Sequence, residues 1–166
     1  MAWRRWWFAA AAAMLCLSVG VSPLGAQAVH RTIATLALQH GVIGIDALST
    51  GHILIGASTD AGNATVSLAA DASKELTDSI ARISARRVGA RSTRVYRTVA
   101  TDPSTGAGIQ FARHITKGAS SYRFFFSTGN VTGFPFDVSR RELGLVTSAL
   151  RRAVKTAHAL AAADSA

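Results

Sequence analysis

Six arginines, Arg82, Arg86, Arg87, Arg91, Arg94 and Arg97, fall within 16 residues of one another. They are the one concentration of functional chemistry in the chain. Clustered guanidinium groups meet phosphate or carboxylate polymers, anionic lipid headgroups or nucleic acid. Only Tyr96 interleaves with them, so stacking on bases has little support. The plainer account of the same run is a solvated helix end and linker in an arginine-rich chain.

The other reactive side chains form no recognisable device. The histidines are His30, His40, His52, His114 and His158, and none stands at a metal-binding spacing such as H-E-x-x-H. His114 falls opposite the apolar face of its strand, near Gln110 and Thr116, where a surface histidine is expected. Gly56-Ala57-Ser58-Thr59-Asp60 lacks the G-x-S-x-G elbow and reads as a strand ending in a turn. Asp46, Asp60, Asp71, Asp78, Asp102 and Asp137 are scattered, so a carboxylate pair would have to be assembled by the fold. Gly106-Ala107-Gly108 lies between two strands, the wrong context for a phosphate loop. The residues thus name no catalytic group, no metal and no cofactor.

Composition bounds what holds these residues in place. Eighteen basic residues stand against nine acidic ones, and only Lys74, Lys117 and Lys155 of the basic set are lysine. Arg4 and Arg5 precede an apolar run from Phe8 to Val21; Pro23-Leu24-Gly25 then leads to Ala26-Gln27-Ala28, a small-x-small cleavage site. Residues 1–28 read as a secretory leader cut after Ala28, the run being short for a bilayer span. Retention as an anchor, with Trp3, Trp6 and Trp7 at the membrane interface, is the alternative. The lone cysteine, Cys16, lies inside the leader, so the exported chain has no thiol for disulfides, zinc or nucleophilic attack. Residues 29–166 are long enough for one domain with a substantial core.

The positioning elements follow from periodicity. Ser139 and Glu142 form an S-x-x-E capping box, and Leu143, Val146, Leu150 and Val154 then share one helical face, which predicts an amphipathic helix over 140–155. A second helix is expected over 73–85, capped by Asp71 or Ser73, with Leu76, Ile80 and Ile83 on its apolar stripe. Residues 51–58 and 65–70 read as a hairpin, while 29–46 fits neither period cleanly and holds two weak strands. Strands are expected over 95–101, 108–116, 121–127 and 131–137, with short turns that make neighbours antiparallel. Tyr122, Phe124 and Phe126 face one way and Phe125 the other, so this strand is expected to be central and covered on both faces. Pro135 places its strand at an edge. Val66-Ser67-Leu68 before Lys74-Glu75-Leu76 echoes Phe134-Pro135-Phe136 before Arg141-Glu142-Leu143, which suggests two strand–helix halves.

The expected fold is α+β: an antiparallel sheet, or two small ones, covered by two amphipathic helices. The expected function is that of an exported, non-enzymatic binding or structural domain, periplasmic or secreted and of bacterial type. It would recognise an anionic envelope polymer or lipid headgroup through Arg82, Arg86, Arg87, Arg91, Arg94 and Arg97. A hydrolase-like enzyme built from distant residues and a membrane-tethered accessory subunit are the alternatives.

Overall fold

The computed structural model describes residues 28–128 and 133–165. Residues 1–27, which hold nearly all of the expected leader, and residues 129–132 and 166 lie outside the described residues. The described residues run through four strands and a helix, then through four strands and a helix again. The first half holds β1 (His30–Leu38), β2 (Gly41–Leu48), β3 (His52–Thr59), β4 (Gly62–Ala69) and α1 (Ala70–Ala85). The second holds β5 (Arg94–Thr101), β6 (Ala107–Thr116), β7 (Ala119–Thr128), β8 (Phe134–Val138) and α2 (Arg140–Asp164). The class is therefore α+β, with two four-stranded antiparallel sheets, each in sequence order. The echoed segments are the two junctions at which a last strand passes into a helix.

Strict alternation drives the sheets, because successive side chains point to opposite faces. In the first, Ile45 pairs with Ile55 and Ile55 with Val66; all three are buried. In the second, Phe111 pairs with Phe124 and Phe124 with Phe136, again all buried. The Phe111 and Phe124 rings are tilted by 53° with centroids 5.3 Å apart, a favourable edge-to-face-like contact. The unclear periodicity of β1 has a physical cause. Its register slips between Thr32 and Ala34, so Thr32 pairs with Asp46 but Ala34 pairs with Ile45. Ile33 is the extra residue of a bulge, and it switches the faces of the strand.

Helix α2 begins as the capping box requires. Glu142 N donates to Ser139 Oγ at 3.3 Å, and Ser139 N donates to Glu142 Oε2 at 2.7 Å. The helix continues past 155 to Asp164 because Ala153 and Ala157, both fully buried, extend the apolar stripe with residues of high helix propensity. Helix α1 departs from the expected start. Neither Asp71 nor Ser73 caps it; the N-cap is Ala69, with no side-chain bond. The β3–β4 ladder runs through Ala69, and Ala70 N donates to Gly51 O at 2.9 Å. The helix thus starts directly from the ladder, and Ser73 is carried into the core.

The helices interlock the halves. α1 and α2 lie against each other, α2 lies mainly over β2 and β1, and α1 lies mainly along β5. Each helix therefore packs chiefly on the sheet of the other half. Ile43 and Ile55 from the first sheet, Ile109, Phe124 and Phe126 from the second, Leu76 of α1 and Val146 and Leu150 of α2 meet in one core. Among the described residues, no helix is long and apolar enough to cross a membrane.

Candidate functional site: an arginine-lined cleft

A cleft of about 1020 Å³ opens where the two halves meet. Its lining comes from the β1–β2 turn, the end of α1 and the loop after it, the β6–β7 hairpin tip, and the β8–α2 junction. Arg86, Arg87, Arg113, Arg123 and Arg140 line it together with His40 and His114; Asp137 is the one acidic residue among them.

Arg113 builds the wall. It sits in the inward phase of β6 with Ile109, Phe111 and Ile115, and only 6% of its surface is exposed. Its Nη1 donates to the carbonyls of Ile83 (2.7 Å), Ser84 (3.1 Å) and Arg86 (3.0 Å) at the end of α1. Its Nε and Nη2 donate to Ser120 Oγ at 3.1 and 3.0 Å. The last carbonyls of a helix lack intrahelical donors and carry the negative end of its dipole, so a guanidinium there satisfies both. Among the described residues its charge is met by backbone carbonyls and the Ser120 hydroxyl and by no carboxylate. The cleft therefore keeps a positive wall.

The hairpin tip holds the opposite end of the same loop. Lys117 and Gly118 both take positive φ, +50° and +81°, as a tight two-residue hairpin turn requires. Gly118 N donates to Ser92 O at 3.2 Å, and a Cβ at Gly118 would come within 3.0 Å of the Ala90 backbone. Glycine is needed there for conformation and for close approach.

On the β7–β8 side, Arg123 and Asp137 are cross-strand partners joined by two parallel bonds, Nε to Oδ1 and Nη2 to Oδ2, the latter 2.7 Å long. The Arg123 guanidinium holds the Asp137 carboxyl below the usual aspartate range, with smaller contributions from His40 and His114. Arg86 lies over the Tyr96 ring at 4.9 Å. With Arg94, whose hydrogen bond is the larger cause, it holds the Tyr96 hydroxyl below its ordinary value. Arg87 and Arg140 are exposed and make no hydrogen bond or ion pair with any described residue. Two buried polar atoms of lining residues, Ser84 Oγ and His114 Nε2, have no hydrogen-bond partner among the described residues.

The structure divides the six clustered arginines. Arg86 and Arg87 reach the cleft; Arg82, Arg91, Arg94 and Arg97 do not line it. Arg82 bonds Ser79 Oγ on its own helix at 2.8 Å, and Arg97 stands beside Ala112 on β6. In their place the fold recruits Arg113, Arg123 and Arg140, which are remote in sequence. One sequence signal pointed to Arg113: it is a charged residue in the apolar phase of a strand. Among the described residues, no group of three histidine, cysteine, aspartate or glutamate side chains is placed to hold a metal. No family model matches the chain, and a search of curated proteins finds no match.

Proposed function

We propose that this chain is an exported anion-binding domain whose ligand sits in the arginine-lined cleft. One observation carries the reading: three separate parts of the fold, the end of α1, the β6–β7 hairpin and the β8–α2 junction, bring five arginines around a concavity whose described lining holds a single carboxylate. That carboxylate is already engaged by Arg123. Guanidinium groups match the paired oxygens of phosphate and carboxylate, which makes them the natural lining for such a ligand. The volume suits a ligand of small-molecule size or one segment of a polymer. In this reading the leader, residues 1–28, is removed, the protein works in the periplasm or outside the cell, and the partner is an anionic envelope polymer or lipid headgroup. The two amphipathic helices, closing over the sheets, hold the cleft walls in register.

A hydrolase-like reading would draw on His114 and Asp137. Asp137 is paired with Arg123, and among the described residues no hydrogen bond joins it to His114, so the imidazole has no orienting partner and binding is the better-supported activity.

Heparin chromatography tests the proposal. Retention should fall as salt rises. The double variant Arg87→Gln/Arg140→Gln should elute at clearly lower salt than Arg91→Gln/Arg97→Gln, which removes equal charge outside the cleft. Equal losses in the two variants would mean that bulk charge, not the cleft, binds the polymer.

A further inference from the structure

We propose that the cleft recognises a phosphate-type oxyanion, an inference that rests on the anion-binding reading above. The argument starts from the two unsatisfied atoms. Buried polar groups in folded proteins nearly always have partners, and each exception calls for an account. Here, among the described residues, Ser84 Oγ and His114 Nε2 are such exceptions, and both belong to residues lining the same cationic cleft. Ser84 also lies at the α1 terminus that Arg113 braces, its own carbonyl taking one of the Arg113 bonds. Both atoms are closed to solvent in the free protein, so a ligand reaches them only when the Ser84 and His114 side chains rotate toward the cleft. A hydroxyl and an imidazole can then each donate one hydrogen bond, and an anion supplies acceptors alone.

Charge separates phosphate from carboxylate. A carboxylate brings one charge and two oxygens. A phosphate monoester brings a charge of about −1.5 to −2 and three acceptor oxygens. The donors here approach from several elements and include the free guanidinium groups of Arg87 and Arg140. Five arginines against one paired aspartate call for the ligand with more charge and more acceptors.

Calorimetry with the protein from residue 29 onward tests the inference. The probes are inorganic phosphate, glycerol 3-phosphate, acetate at matched ionic strength, and vesicles with or without phosphatidic acid. Phosphate and glycerol 3-phosphate should bind and acetate should not. Selective binding of the vesicles with phosphatidic acid, even without the soluble probes, would also support the inference and assign the phosphate to a lipid headgroup. Ser84→Ala should weaken phosphate binding about ten-fold while leaving thermal stability equal or higher, since it removes a buried hydroxyl that bonds nothing in the free protein. His114→Gln should weaken it similarly. Acetate binding as well as phosphate, or wild-type affinity in both variants, would overturn the inference. So would cleft-dependent heparin retention without any phosphate or phosphatidic acid binding, an outcome that leaves the anion-binding reading intact. Loss of cleft-dependent heparin retention would remove that reading too.

Discussion

Arg113 on β6 reaches the carbonyl of Ile83 on α1 at 2.7 Å, across thirty residues of sequence and from one half of the fold to the other. The bond makes the end of a helix depend on a strand that is formed later in the chain. Arg113 is nine-tenths buried, so its bonds are little screened by water. Replacing it with methionine keeps an apolar stem and removes every donor, which leaves three helix-terminal carbonyls without it. Arg113→Met should cost about 3 kcal/mol in urea unfolding. Arg113→Lys should recover only part of that, because a single ammonium cannot serve both the carbonyls and Ser120 in the fork arrangement.

Ser73 carries the opposite prediction. It is fully buried on α1, and its Oγ has no partner among the described residues. Alanine fits the same space, is a better helix former and leaves no donor unpaired. Ser73→Ala should therefore stabilise the protein by about 1 kcal/mol, seen as a higher denaturation midpoint at unchanged slope.

These two residues also mark what could be read from the chain and what could not. The capping box of Ser139 and Glu142 and the stripe from Leu143 to Val154 were legible, because local spacing decides them. So were the alternating runs that became the strands. The start of α1 was not, since Asp71 and Ser73 are good caps in isolation and lost to the β4 ladder. Nor was the bulge at Ile33, which mixes two phases within one strand. Phe125 was expected to be covered. Its strand is central in its sheet, yet Phe125 is only partly buried, with the Arg123 guanidinium 5.9 Å from its ring centre. The cleft was the least legible feature. Arginines 82 to 97 are neighbours in sequence, but the helix, the loop and the strand that follow point them in different directions. Arg113, Arg123 and Arg140 meet Arg86 and Arg87 only because the two halves interlock.

Glu142 predicts a pH dependence. Its carboxylate accepts from Ser139 N and also, through Oε1, from Gln39 N at 2.6 Å, tying the start of α2 to the β1–β2 turn. These bonds, that with Ser139 foremost, hold its carboxyl below the usual glutamate range. A carboxyl depressed in the folded state binds fewer protons there than in the unfolded chain. Its stabilisation is therefore complete above the unfolded value of about 4.3 and is lost as pH falls through the lower folded value. Asp137 acts in the same direction. Melting temperature should fall from about pH 5 downward, and Glu142→Gln should show a shallower fall over the same interval.

Asp137 separates stability from binding. Its pair with Arg123 is well aligned, yet 43% of the arginine side chain and 46% of the aspartate side chain are exposed. Ion pairs that wet contribute at most about 1 kcal/mol. Asp137→Asn should therefore barely move the melting temperature at pH 7. The same change removes the one carboxylate among the described residues of the cleft lining and frees Arg123 to face a ligand. An anion-binding cleft should then hold heparin more tightly, with elution at higher salt than the wild type, and the gain should vanish when Arg87→Gln and Arg140→Gln are added. Weaker retention in Asp137→Asn would instead mean that the aspartate orients Arg123 for the ligand, and unchanged retention would place the binding surface outside the cleft.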